Sequence, residues 1–157
     1  MWLYYTYPKE NINNIDALIP SGFELRIIHP HTNSIHDVLW NLFSFGKYRE
    51  YQLVDTSNRL TVSKAQVMPK IVIFRFMKSG GIHIGPCHTL PAYRGRNFYP
   101  TLLKKIVEDY RMKIRDFYIF CDENNSASIR GIEKAGFKCF AKGVKNKFGI
   151  YVIKEYI

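Results

Sequence analysis

The stretch whose reading decides the fold is residues 82–110, IHIGPCHTLPAYRGRNFYPTLLKKIVEDY. It divides into a strand over residues 82–89, a basic glycine-containing turn over 90–97, and a helix that starts near Phe98. The helix carries an apolar stripe at Leu102, Leu103, Ile106 and Tyr110, the spacing of one face of a 3.6-residue period. A loop that runs onto a helix N-terminus offers several unpaired backbone N–H groups to one point, and the helix dipole adds partial positive charge there. Arg94 and Arg96 lie in that turn, and Gly95 lets the backbone approach a ligand. These residue types in this order make a phosphate-binding device, so a pyrophosphate is expected at the turn and chemistry along the preceding strand.

Outward from this stretch, the pattern alternates strands with a few helices. Residues 1–21 show no clear period and read as an N-terminal extension of a single domain spanning 1–157. Residues 23–29 alternate as a first strand, and Pro30, His31, Thr32 and Asn33 break it. Ser34 then caps a helix to about Phe43 with Val38, Leu39, Leu42 and Phe43 on one face. Residues 51–55 and 60–68 are the second and third strands, with turn residues between them. Residues 71–77 are apolar and fit either an extended segment or a short helical turn. Gly80 and Gly81 lead into the fourth strand, 82–89. Pro86 cannot donate to a ladder, so one side of that strand is expected to be unpaired.

After the helix, residues 116–121 form a buried fifth strand. Residues 122–137, DENNSASIRGIEKAGF, follow with an N-cap at Asn125, a stripe at Ile129, Ile132 and Ala135, and a C′ glycine at Gly136. Strands at 138–144 and 148–155 close the chain around a hairpin at Lys145, Asn146 and Lys147. The pattern gives an α/β sheet in mixed pairing.

Thr89-Leu90-Pro91-Ala92-Tyr93-Arg94-Gly95-Arg96-Asn97-Phe98-Tyr99 resembles the acyl-CoA loop of the GNAT N-acetyltransferase superfamily, V-x-P-x-Y-R-G-x-G-x-G/A. Asn97 replaces a glycine, which it can do because Asn tolerates left-handed backbone. Tyr99 stands where the family has Gly or Ala. A second segment is similar to the family's N-x-x-S-I-x-x-Y-x-K-x-G-F, matching at Asn125, Ser128, Ile129, Lys134, Gly136 and Phe137. The resemblance covers about residue 23 to the C-terminus. It implies a mixed, mostly antiparallel central sheet flanked by helices, with a splay between the fourth and fifth strands where the acyl-pantetheine arm lies. It implies acetyl-CoA as co-substrate and transfer of an acetyl group to an amine by direct attack. Thr89, Leu90, Arg94, Gly95, Arg96, Asn97, Phe98, Tyr99, Asn125 and Ser128 are the positions it implies for the cofactor.

The catalytic groups are less determined. The family's usual proton-donating Tyr falls on Ile132, which leaves Tyr93, Tyr99, Tyr118 and Cys87 as unranked substitutes. Residues 56–107 contain no acid, so no carboxylate lies on the fourth strand. His83 and His88 remain there, with ordinary pKa values of about 6.5, and His83 is favoured as general base. Asp122 and Glu123 at the end of the fifth strand stand in reserve.

Composition bounds the function. A hydrophobic content of 46% and an aromatic content of 15% belong to a folded globular chain. The three cysteines, Cys87, Cys121 and Cys139, are odd in number and lack any C-x-x-C pair, so neither a disulfide framework nor a metal is expected. No signal peptide or bilayer-spanning run is visible, and the expected location is the cytoplasm. The net charge of +10 suits an anionic partner. Three classes follow: an acyltransferase acting on a small amine, such as an amino sugar or sugar nucleotide; a domain that binds acyl-CoA without catalysis; and a basic nucleic-acid-binding module. A homodimer through exposed late strands is compatible with the pattern.

Overall fold

The computed structural model describes residues 1–29, 35–114 and 116–157. Its strands are β1 (Trp2–Thr6), β2 (Phe23–Ile28), β3 (Arg49–Asp55), β4 (Thr61–Pro69), β5 (Ile82–Thr89), β6 (Phe117–Asp122), β7 (Lys138–Lys145) and β8 (Tyr151–Tyr156). The helices are α1 (Ile35–Phe43), α2 (Phe98–Tyr110) and α3 (Ser126–Lys134). The fourth and fifth strands of the sequence reading are therefore β5 and β6. Ser34, expected to cap α1, lies outside the described residues, as do Pro30, His31, Thr32 and Asn33.

All eight strands form one sheet in the order β2-β3-β4-β5-β6-β1-β7-β8. Every neighbouring pair is antiparallel except β5 and β6, which the α2 crossover makes parallel. The expectation of a mixed, mostly antiparallel sheet flanked by helices holds.

Residues 1–21 correct the expectation of an unpatterned extension. Residues 2–6 are a strand inserted between β6 and β7, near the middle of the C-terminal half of the sheet. WLYYT shows no alternation because both faces of the sheet are covered there. Tyr4 and Tyr5 point to opposite sides and both are buried. Residues 71–77 settle as turns, with one isolated bridge from Phe74 to Tyr151.

Two apolar layers sandwich the sheet. On one face, Leu102, Leu103, Ile106 and Val107 of α2 and Ile132 of α3 pack on Leu53, Val62, Ile84 and Ile119. Each such side chain contributes about 1.5–3 kcal/mol by leaving water. On the other face, Tyr48, Met68, Phe74, Met77 and Tyr118 form a second cluster, joined by Trp40 of α1 and by Phe120 and Tyr151. Among the described residues, no helix is long and apolar enough to cross a membrane.

Leu103 is fully buried at the centre of the α2 face. Leu103→Ala is expected to remove about 2–5 kcal/mol of unfolding free energy in urea denaturation. A loss under about 1 kcal/mol would contradict this packing.

Candidate active site

The site begins where β5 and β6 part. They pair at Ile82 with Phe117 and at His83 with Tyr118, and at no later residue. From there β6 runs on with β1 as far as Asp122, while β5 stays with β4 as far as Thr89. A register shift between Ala65 and Val67 marks the bend in the β4–β5 ladder. Gly85, at φ +142°, lies against the imidazole of His83, and a Cβ there would come 3.1 Å from His83 Cε1. The fork so formed opens into a cleft of about 1090 Å³. Consecutive residues of β5, from Ile84 to Thr89, line it, as a free strand edge does.

One end of the cleft is the turn onto α2. Leu90 donates its N–H to the Val62 carbonyl at 2.9 Å, and Ser63 Oγ meets Thr89 Oγ1 at 2.8 Å, which fixes the end of β5. Tyr93 hydroxyl donates to the Asp55 carboxylate at 3.2 Å and anchors the turn to β3. Gly95 has φ +77° and faces open space. Asn97 takes the left-handed conformation, φ 64°, that its replacement of a glycine requires. The first intrahelical bond of α2 is Thr101 N–H to Asn97 O at 3.0 Å, so Phe98 and Tyr99 present N–H groups with no carbonyl one turn before them. Arg94 donates from Nε to the Thr89 carbonyl at 3.1 Å, a neutral partner, and its charge is uncompensated among the described residues. Arg130 and Lys134 of α3 line the same cleft.

α3 closes this end. Asn125 Oδ1 accepts the Ser128 N–H at 3.0 Å, the cap that the sequence indicated. Gly131 leaves a notch filled by the ring of Tyr99, and a Cβ there would fall 2.4 Å from Tyr99 Cδ1. The Tyr99 hydroxyl thereby stands 3.4 Å from Ser128 Oγ inside the cleft. Burial raises its pKa well above the ordinary value, so it remains a proton donor. Burial also pushes the Cys87 thiol up to about 12, which leaves it protonated and a poor nucleophile.

The other end is an aromatic chamber. The His83 ring lies between Phe74 at 4.4 Å and Phe120 at 4.8 Å, centroid to centroid. Trp2 packs on Phe120 at 5.3 Å, and Tyr151 packs on Phe120 at 4.4 Å. His83 Nδ1 is buried without a partner among the described residues. Burial lowers the His83 pKa to about 3, so the imidazole is neutral at working pH.

The cleft thus brings together His83, Thr89, Arg94, Gly95, Asn97, Phe98, Tyr99, Asn125 and Ser128. Four residues named from the sequence do not line it. Leu90 is committed to β4, and Arg96 stacks on the Tyr93 ring at 5.4 Å. The Tyr118 hydroxyl accepts the Lys78 N–H at 3.3 Å, and Glu123 pairs with the Met1 ammonium at 2.7 Å. Among the described residues, the cleft has one carboxylate, Asp122. The sequence reading missed Trp2, Phe74, Phe120 and Tyr151, whose only signal was aromatic density in separate segments. It also missed Gly131, a glycine inside a helical pattern.

No family model matches the chain, and no curated protein matches it. Solved structures do. A GCN5-related N-acetyltransferase from Sphaerobacter thermophilus superposes with a TM-score of 0.62 at 14% identity, covering 88% of this chain and 48% of that one. An acetyltransferase of the GNAT family from Colwellia psychrerythraea gives 0.60 at 11% identity, covering 88% and 52%. A tandem GNAT protein from the clavulanic acid biosynthesis pathway gives 0.59 at 15% identity, covering 88% and 50%. The chain has the fold of the GNAT superfamily acetyltransferases. It spans about half the length of these structures.

His83 also makes stability depend on pH. Its folded pKa is depressed to about 3 and its unfolded value is 6.5, so the unfolded chain binds the extra proton between those values. Stability contributed by the neutral imidazole is complete above pH 6.5 and falls as the pH drops below it. Between pH 7 and pH 5 the loss from this residue is about 2 kcal/mol. His83→Phe is expected to flatten the difference between urea midpoints at these two pH values, and an unchanged difference would show that His83 is not buried neutral.

Proposed function

We propose that the chain is an acyl-CoA-dependent acyltransferase that moves an acetyl group to a small amine. The observation that carries this reading is the fork between β5 and β6 ending on the left-handed Asn97 and the open N-terminus of α2. The fold supports it, since the structural neighbours are described as acetyltransferases.

The residues suit coenzyme A. Its pyrophosphate would meet the N–H groups from Gly95 to Tyr99 and the uncompensated charge of Arg94. Its pantetheine arm would pair with the free edge of β5, from Ile84 to Thr89, as an added strand does. When bound, acetyl-CoA supplies an activated thioester.

The chain's own groups then divide the work. Asp122 is the carboxylate of the cleft, and one of its oxygens accepts the Asn124 N–H at 2.9 Å. It takes the role of proton acceptor for the amine. His83, favoured from the sequence as the base, has its proton affinity lowered by burial and serves as a hydrogen-bonding partner instead. The amine nitrogen bonds to the thioester carbonyl carbon and the carbon–sulfur bond breaks. The departing thiolate is held by a hydrogen bond from Tyr99 Oη and takes its proton from solvent, while the proton of the amine passes to Asp122 and from there to solvent. Tyr99, lodged in the Gly131 notch, fills the place that Ile132 leaves vacant, since Ile132 is wholly buried in the core. Cys87 stays outside this sequence as a neutral thiol.

The acceptor is a small amine. An amino sugar or sugar nucleotide was expected from the charge, and Lys145 on the cleft wall supports an anionic group on the acceptor. A second reading, binding of acyl-CoA without transfer, is favoured by the burial of His83, which lowers its affinity for a proton and makes it a poor base.

Calorimetry with acetyl-CoA tests the cradle. Arg94→Ala is expected to weaken binding about tenfold or more, because a hydrogen bond to a charged partner contributes about 1.5–3 kcal/mol. Arg96→Ala should leave affinity within about twofold, its guanidinium being stacked on Tyr93. Absence of acetyl-CoA binding would end the acyltransferase reading. Given an amine that turns over, Tyr99→Phe and Asp122→Asn should each lower kcat about a hundredfold with acetyl-CoA affinity unchanged. Binding with no turnover of any amine would favour the second reading.

A further inference from the structure

The aromatic chamber carries information about the acceptor that the acyl-CoA reading does not use. Its walls follow from register. Asp122 sits directly opposite Trp2 on β1, and Trp2 sits directly opposite Gly143 on β7. Directly opposed residues share a face of the sheet, and so do residues two apart on one strand. Phe120, Asp122, Trp2, Lys145 and its partner Tyr151 therefore lie on one face, the face that also bears His83. The space over Gly143 between them is filled by the Tyr4 ring and the Val152 carbonyl, since a Cβ there would fall 2.7 Å from Tyr4 Cε2 and 2.1 Å from the Val152 oxygen.

Of the charged side chains that line the cleft, two stand on this face, one of each sign. Asp122 stands on the β6 side of Trp2, and Lys145 stands on the β7 side with its ammonium 5.4 Å over the Tyr151 ring. The other charged side chains of the cleft, Arg94, Arg130 and Lys134, come from the turn and α3 at the pyrophosphate end. Between Asp122 and Lys145 the surface is indole, phenol and phenyl. Such walls offer flat apolar area and ring edges, and few hydrogen-bond partners for the many hydroxyls of a sugar. A purely cationic acceptor is also poorly served, since the ammonium of Lys145 already covers one aromatic face.

We propose that the acceptor is an amine on an aromatic body that also carries an anionic group, as an aromatic amino acid does. The amine faces Asp122, the ring lies against Trp2, Phe120 and Tyr151, and the anionic group meets Lys145. This rests on the acyltransferase reading and narrows its substrate.

The test is a panel in which each compound lacks one feature. Acetyl transfer from acetyl-CoA is followed as thiol release with L-phenylalanine, phenethylamine, L-alanine and glucosamine 6-phosphate, and acetyl-CoA binding is measured in parallel by calorimetry. L-Phenylalanine is expected to give the highest kcat/KM. Phenethylamine, without the carboxylate, should fall about tenfold. L-Alanine, without the ring, should fall about a hundredfold. Lys145→Met should bring L-phenylalanine down to the level of phenethylamine through KM, leave phenethylamine unchanged, and leave acetyl-CoA affinity unchanged. If acetyl-CoA binds and glucosamine 6-phosphate is the better acceptor, the aromatic acceptor is overturned while the acyltransferase stands. The aromatic acceptor is equally overturned if acetyl-CoA binds and none of the four is acetylated, or if Lys145→Met slows both aromatic amines equally. If acetyl-CoA itself does not bind, both readings fall together.

Discussion

β5 and β6 share two residue pairs and then separate. A parallel pair held at one end alone is costly inside a sheet, because every later N–H and C=O along the facing edges must find another partner. β1 lies along the far edge of β6, antiparallel from Thr6 to Trp2, and β4 lies along the far edge of β5, so neither covers the edges that face each other. The edge left over on β5 is the central feature of the molecule. It needs an extended polar guest, and the loop that follows places a helix N-terminus at its far end.

The rest of the structure keeps that fork open and gives its two ends different chemistry. The α2 face is anchored in the larger core by Leu102, Leu103, Ile106 and Val107, so the helix N-terminus is held on a rigid element rather than on a loop. Basic side chains gather at this end. At the other end, Phe74 and Phe120 enclose His83 with Trp2 and Tyr151 packed on Phe120, and the cost of burying a charged imidazole there appears as a depressed pKa. Gly85 and Gly131 serve the same design in opposite ways. One allows the His83 ring to lie on the backbone, and the other admits the Tyr99 ring between α2 and α3.

The parts that were legible in the sequence are those whose information is local. β5 and α2 have their bounds written in Gly81, Thr89 and the periodic run after Asn97, and the structure keeps both. The cap at Asn125 and the left-handed residues at Asn97 and Gly136 were legible because side-chain chemistry and backbone conformation are coupled at single positions. β1 was not legible, because a strand covered on both faces loses the alternation that marks a strand. The chamber was not legible either. Trp2, Phe74, Phe120, Lys145 and Tyr151 come from five separate segments, and only register brings them to one face. His83 was favoured as general base because it is a histidine on the strand before the turn, but burial between two phenyl rings sets its proton affinity, and no local pattern reports that.

The central claim is that an acyl-CoA runs along the open edge of β5 and ends on the N-terminus of α2. Amide hydrogen exchange with and without acetyl-CoA tests it directly. The account predicts slowed exchange concentrated in residues 84–89 and 95–99, with little change in β2, β3 and β8. Binding of acetyl-CoA that left those two segments unprotected, or protected another part of the sheet instead, would contradict it.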